Sequence, residues 1–200
     1  MFLDNRGGYL NLMRTFIAVE LSDEIKATLA QIQSHLKYSG ADVKWIEKDN
    51  IHLTLKFLGS VPADKTSEIT GTIAEVVRGI IPFQLKIEGL GVFPNLRTVQ
   101  VAWVGIGGEV EKLKRLQGLI DTSLSRIGFT PESRPFTPHL TIARIRSQAS
   151  PDERIRFGQL IADTKFTACS IGVDGISLMK SQLSREGAIY SRISLTKLAK

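Results

Sequence analysis

A histidine followed two residues later by a threonine occurs in "NIHLTL" (50–55) and again in "PHLTIAR" (138–144). The surroundings of the two copies share one order. "TFIAVEL" (15–21) has the composition of a strand, and Ser22 is placed to cap a helix whose apolar residues Ile25, Leu29, Ile32 and Leu36 recur at helical spacing, ahead of the strand carrying His52. In the second half "TVQVAWVGI" (98–106) is a strand, Val110, Leu113, Leu116, Ile120, Leu124 and Ile127 mark a helix, and "RPFTP" leads into the strand carrying His139. Phe16 precedes His52 by 36 residues and Val99 precedes His139 by 40, so the chain has the layout of a duplicated unit although little else in the halves is identical. A duplicated unit packs about a pseudo-twofold axis, which predicts that the two His-x-Thr strands meet in a cleft where the lobes join.

The repeat is more than strand-forming composition supplies by chance. Threonine fills 14 of 200 positions, so two of three histidines acquire a threonine at that spacing with a chance of roughly 0.015. Residues two apart on a strand share a face about 6 to 7 Å apart. Each copy therefore sets an imidazole and a hydroxyl side by side, while the leucines Leu53, Leu55 and Leu140 enter the core. The third histidine, His35, falls on the polar side of the first helix and is expected at the surface.

Other elements follow from the same periodicities. A turn at "GSVPAD" leads to a helix through Ile69, Ile73, Val76 and Val77, and "FQLKIEGL" alternates as a strand. "PDERIRFGQLIAD" (151–163) is a fourth helix started by Pro151. "CSIGVDGISLMKS" and "YSRISLTKL" are expected as strands joined by a polar loop, and "GIGG" (105–108), which lacks the spacing of a phosphate loop, as a turn. At 200 residues and 42% hydrophobic content the chain can bury one sizeable core. The single cysteine, Cys169, permits no internal disulfide, and the spacings of a zinc site are missing, which suits a reducing cytoplasm and no structural metal. No apolar run approaches the length of a membrane span, and the start of the chain lacks the order of a signal peptide, so a cytoplasmic protein with no membrane partner is expected. A formal charge of +6 fits an anionic partner such as RNA, with basic residues dispersed so that any patch must be assembled by folding.

Two facing imidazoles suit in-line transfer at phosphorus, which needs a base on the entering side and an acid on the leaving side; histidine titrates where it can be either. Thr54 and Thr141 can supply fixed donors to the phosphoryl oxygens. Phosphoester hydrolysis or transfer without a metal or other cofactor is the chemistry this pattern suggests.

The segments "MRTFIAVEL" (13–21), "HLTLKFLG" (52–59), "GLGVFPNLRTVQVAWVGI" (89–106), "RPFTPHLTIAR" (134–144) and "MKSQLSREGAIYSRI" (179–193) resemble the 2H phosphoesterases, specifically the RNA 2′,3′-cyclic phosphodiesterases also named 2′-5′ RNA ligases. The resemblance covers Met13 to about Leu198. It implies an α+β, bilobal pseudo-twofold fold with antiparallel sheets lining a central groove and helices outside. It implies opening of an RNA 2′,3′-cyclic phosphate to a 2′-phosphate, with His52 as the proton donor to the leaving 3′ oxygen, His139 as the proton acceptor from water, and Thr54 and Thr141 on the phosphate oxygens; the pseudosymmetry leaves the order of the two histidines open to sequence logic. Arg144 matches the arginine that follows the second motif and could neutralise phosphate, but five positions past His139 its parity points away from the cleft, so a bulge or the strand's end would be needed. Lys56 shares parity with His52 and is expected at the groove rim; Phe57, at the offset matching Arg144, is expected in the core rather than stacked on a base. The expected partner is RNA with a 2′,3′-cyclic phosphate end, tRNA fragments and small cyclic nucleotides presenting the same phosphate, acted on by a monomer. Reversal to 2′-5′ ligation and non-catalytic binding of RNA ends are the alternatives. Residues 1–12 precede the resemblance and are expected to form an extension to a single domain spanning 13–200.

Overall fold

The computed structural model describes residues 11–184 and 187–199. Within them nine strands and four α-helices alternate: β1 (Leu12–Val19), α1 (Asp23–Leu36), β2 (Val43–Trp45), β3 (Leu53–Pro62), α2 (Thr66–Val77), β4 (Phe83–Phe93), β5 (Val101–Gly108), α3 (Val110–Ser125), β6 (His139–Ile145), α4 (Pro151–Asp163), β7 (Cys169–Val173), β8 (Gly175–Leu183) and β9 (Ala188–Lys197). Local chemistry sets the helix starts. The Ser22 hydroxyl accepts from the Ile25 N–H at the head of α1, and Ser150 with Glu153 forms a reciprocal capping box ahead of Pro151 in α4. Residues 1–10 of the expected extension lie outside the described residues, while Leu12 opens β1 opposite Pro62.

The strands form two antiparallel sheets, in the orders β3-β1-β8-β9 and β2-β6-β5-β4-β7. Set against each other, β3-β1-β8 of the first sheet corresponds to β6-β5-β4 of the second. The two halves of the chain therefore exchange strands. β4, which follows the first motif, completes the second sheet, and β8, which follows the second motif, completes the first. Helices cross in the same way: α3 leaves the second sheet to pack beside α2 on β3, whereas Gln33 of α1 bonds to β6. One hydrophobic core runs through both units, from Leu29 and Leu53 to Leu113, Leu140 and Phe157. Each such fully buried side chain is worth about 1.5 to 3 kcal/mol of transfer free energy, so neither sheet keeps its apolar face without helices from the other half.

Two expected turns are strand: residues 59–62 of "GSVPAD" end β3, and the chain turns only in the 3-10 helix Ala63–Lys65 that follows. "GIGG" belongs to β5, and packing requires glycine at Gly105, where a Cβ would stand 2.7 Å from the Glu88 carbonyl oxygen; a Cβ on Gly107 would meet only the exposed Glu88 side chain. Glu88 lies where the β4–β5 ladder skips register between Ile87 and Leu90. The bulge crowds the opposite strand, and only glycine leaves room there. No described helix is long and apolar enough to cross a membrane.

Candidate active site

The two motif strands approach where the sheets meet, with Cα atoms of β3 and β6 within 8 Å. Each histidine stands at the entry of its strand and is held in the same way. His52 Nδ1 lies 2.8 Å from the Asn50 carbonyl, and His139 Nδ1 lies 2.7 Å from the Thr137 carbonyl. A carbonyl only accepts, so in both rings Nδ1 carries the proton and donates it, leaving Nε2 as the atom that can take or give a proton. The turn bearing Asn50 is itself anchored, since Asn50 Nδ2 donates to the Ala188 carbonyl at the head of β9.

Aromatic rings back each imidazole. Phe16 of β1 stacks on His52 at 4.5 Å, with Tyr190 edge-on at 5.2 Å; Phe93 meets His139 edge-on at 5.2 Å, with Trp103 at 6.3 Å. Phe16, Ala18, Met179 and Tyr190 form a small apolar cluster on the cleft side of the first sheet, separate from the main core. Burial in this cluster lowers the His52 pKa below the ordinary imidazole value, opposed by the bond to Asn50 and the charge of Glu20. A depressed histidine pKa means that the unfolded chain binds more protons than the folded one between the lowered value and about 6.5, so stability is highest above about 6.5 and falls as the pH drops through that window. The thermal midpoint is accordingly expected to fall more from pH 7.5 to pH 5.5 in the wild type than in a His52→Gln variant. Equal falls in the two proteins would contradict this account of His52.

Thr54 and Thr141 are half-buried on the same faces as their histidines, Thr54 opposite Ala18 and Thr141 opposite Trp103. Immediately beyond each threonine the strand bulges. In the β1–β3 ladder Ala18 pairs with Thr54 and Ile17 with Lys56, leaving Leu55 extra; in the β5–β6 ladder Trp103 pairs with Thr141 and Ala102 with Ala143, leaving Ile142 extra. One extra residue inverts the parity of everything after it. Arg144 is thereby placed on the cleft face, where it lines a groove of about 490 Å³ with Lys44, Trp45, Asn50 and Tyr190. The bulge needed for the Arg144 expectation is present.

The same inversion corrects two expectations in the first half. Phe57 is not in the core: it is 67% exposed, on the cleft face beside Phe16. Lys56 is not at the rim: it is 3% exposed, on the helix side, where its ammonium donates to Asp121 of α3 and, at 2.8 Å, to the Thr130 carbonyl. His35 is exposed, as expected.

Tyr190, Trp103, Lys44 and the pair Glu20–Arg192 were not among the expected site residues. Arg192 grips Glu20 with two bonds of 2.7 and 2.8 Å; that guanidinium, with the Ser177 hydroxyl, holds the Glu20 carboxyl below its usual pKa against the effect of burial. A strand alternation in "YSRISL" puts Tyr190 and Arg192 on one face, which was a usable signal; that this face is the cleft was not readable without the sheet order. Among the described residues no three His, Cys, Asp or Glu side chains converge in a way that could hold a metal ion.

The chain is similar to known proteins in sequence and fold. The LigT like Phosphoesterase family matches twice in tandem, over residues 19–103 and 104–190. The RNA 2′,3′-cyclic phosphodiesterase of Methanothermobacter thermautotrophicus is 35% identical over 187 residues, 93% of this chain and 99% of that protein; its counterpart from Thermotoga maritima is 34% identical over 89% of this chain and 91% of that protein. The structure of TT0787 from Thermus thermophilus superposes with a TM-score of 0.76 at 25% identity, over 93% of this chain and 98% of that one. The fold of E. coli LigT crystallised with 3′-AMP superposes with a TM-score of 0.75 at 24% identity, over 95% of this chain and 100% of that one.

Proposed function

The chain belongs to the LigT like phosphoesterases, and from that premise we propose that it hydrolyses the 2′,3′-cyclic phosphate at an RNA end to a 2′-phosphate and a free 3′ hydroxyl. The observation that carries the reading is the equivalent tethering of His52 and His139, each donating from Nδ1 to a backbone carbonyl so that both Nε2 atoms are free for proton transfer. A water attacks phosphorus as His139 Nε2 removes its proton, the bond from phosphorus to the 3′ oxygen breaks, and His52 Nε2 gives that oxygen its proton. Protons balance across the step, leaving His52 neutral and His139 charged. Burial weakens the hold of the His52 ring on its proton, which makes the imidazolium a stronger acid, and the negative charge of the bound phosphate favours the charged form needed at the start. The same lowering leaves less of the His52 ring charged before substrate binds, so the order in which His52 is the donor and His139 the acceptor is taken from the family resemblance of the two motifs.

Thr54 and Thr141 donate to the non-bridging oxygens, and the Arg144 guanidinium, with Lys44 opposite it on β2, balances their charge. Beyond the phosphate, the ring of Phe57 and the basic pair Arg144 and Lys44 offer the RNA one apolar and one cationic contact. The reaction requires no cofactor; the molecule acts as a monomer on this reading.

The test is turnover of a short RNA ending in 2′,3′-cyclic phosphate by purified protein in EDTA. A 2′-phosphate product at an undiminished rate is expected. No product, a 3′-phosphate product, or activity that appears only on adding a divalent metal would refute the proposal. In the same assay Thr54→Val, which keeps strand and shape but removes one donor, is expected to lose about 2 to 4 kcal/mol of transition-state stabilisation, seen mainly in kcat. A valine variant with wild-type kcat would remove Thr54 from the mechanism.

A further inference from the structure

Two glutamines are buried in a fold that has little reason to bury amides. Gln33 on α1 is 5% exposed and Gln117 on α3 is 7% exposed. Gln33 Nε2 donates to the Ile142 carbonyl at 2.8 Å and to the Ile46 carbonyl at 2.7 Å; Gln117 Nε2 donates to the Leu55 carbonyl at 3.4 Å. Ile142 and Leu55 are the two extra residues of the bulges that follow Thr141 and Thr54. The exchange is reciprocal: a helix of the first half holds the bulge of the second motif, and a helix of the second half holds the bulge of the first.

A bulge leaves the extra residue out of the regular ladder, and a buried carbonyl without a donor is costly. The Ile142 carbonyl also accepts from the Ile46 N–H at 3.0 Å, so removing the Gln33 amide takes one of its two donors, together with the Gln33 bond to the Ile46 carbonyl that ties the end of β2 to the bulge; with that tie to α1 gone, regular pairing, which returns the following residues to the opposite face, gains over the bulge. For β6 regular pairing would carry Arg144 out of the cleft and shift Thr141. We propose that Gln33 and Gln117 are positioning residues for the reaction, each pinning the bulge that aims the phosphate-binding side chains of a His-x-Thr strand. The inference rests on the phosphodiesterase reading for its kinetic consequences, but not for its structural one.

Gln33 gives the sharper test because both its amide hydrogens are used. Gln33→Met fills similar volume without a donor. In the cyclic-phosphate RNA assay kcat and kcat/KM are expected to fall together by about 10- to 100-fold, the scale of a displacement of about 1 Å at a reacting centre. Arg144→Ala, costly in the wild type, is expected to cost nothing further in the Gln33→Met background, because the guanidinium has already left. A crystal structure of Gln33→Met is expected to show β5 and β6 paired without the bulge at Ile142. An intact bulge, or an Arg144→Ala penalty of the same factor in both backgrounds, would overturn the proposal. If the wild type fails to open the cyclic phosphate, the functional reading falls while the crystal structure still decides the role of Gln33. Should Gln33→Met not fold, Gln33→Glu replaces it: the protonated acid keeps one donor, so activity relative to wild type is expected to be higher at pH 5 than at pH 8, and a ratio independent of pH would equally overturn the proposal.

Discussion

Replacing His139 with alanine is expected to lower kcat/KM on an RNA ending in a 2′,3′-cyclic phosphate by about 10² to 10⁴-fold, and replacing His52 by a similar factor, because each removes one of the two proton transfers. Neither ring supports the main core: both stand half-buried at the entry of a strand, bonded to a carbonyl two residues back. Circular dichroism and the thermal midpoint should therefore stay close to wild type at neutral pH. The double variant should fall little below either single one, since groups acting as a unit are not additive. The pH profile of kcat/KM should be a bell whose limbs belong to the pair jointly. Full activity in His139→Ala would remove the acid–base account, and a flat profile between pH 5 and 8 would place the slow step elsewhere.

The largest loss of stability is expected from Asp121→Ala. Asp121 accepts from the Lys56 ammonium, whose side chain is 2% exposed, and from the Glu132 backbone N–H at 3.2 Å. It thus ties β3, one residue past its bulge, to α3 and to the segment that leads into His139. Removing it leaves a buried ammonium facing the Thr130 carbonyl and a carboxylate of Glu132 at 4.0 Å whose side chain is 45% exposed and partly screened. Stripping one partner from a buried pair typically costs about 3 to 5 kcal/mol, which for a chain of this size lowers the thermal midpoint by roughly 10 °C. Lys56→Met should cost far less, because it removes the charge that needs a partner and fills the space. Equal losses in Asp121→Ala and Lys56→Met, measured by chemical denaturation, would show that the pair acts through packing and not through charge.

Lys56 and Phe57 mark where reading the sequence stopped being sufficient. Alternation along "HLTLKFLG" assigns Lys56 to the face of His52 and Phe57 to the core; a single extra residue at Leu55 reverses both. Nothing in the local sequence announces that bulge, since leucine is an ordinary strand residue. Its cause is distant: Gln117, 62 positions away, donates to the Leu55 carbonyl, and Asp121 accepts from Lys56. The resemblance pointed to Arg144 even though strand parity turned it away, and the bulge at Ile142 brings it to the cleft face.

What the sequence determined by itself is everything carried by short periods and local caps. The alternation in β3 and β6 puts imidazole and hydroxyl on one side of a strand, the spacing of apolar residues places four helices, and Ser22 and the Ser150–Glu153 box start two of them. These features depend on neighbours a few residues apart, so the order of residues contains them. The repeat of His-x-Thr likewise pointed to the groups proposed to do the chemistry. Tertiary structure alone decided which sheet each strand joins, that β4 and β8 are exchanged between the halves, and that buried groups from opposite helices hold the two bulges. Strand pairing releases the same backbone hydrogen bonds whichever neighbour is chosen, so local sequence is nearly silent on the choice; burial of one shared core over both sheets settles it, and with it the direction in which Arg144, Phe57 and Lys56 point.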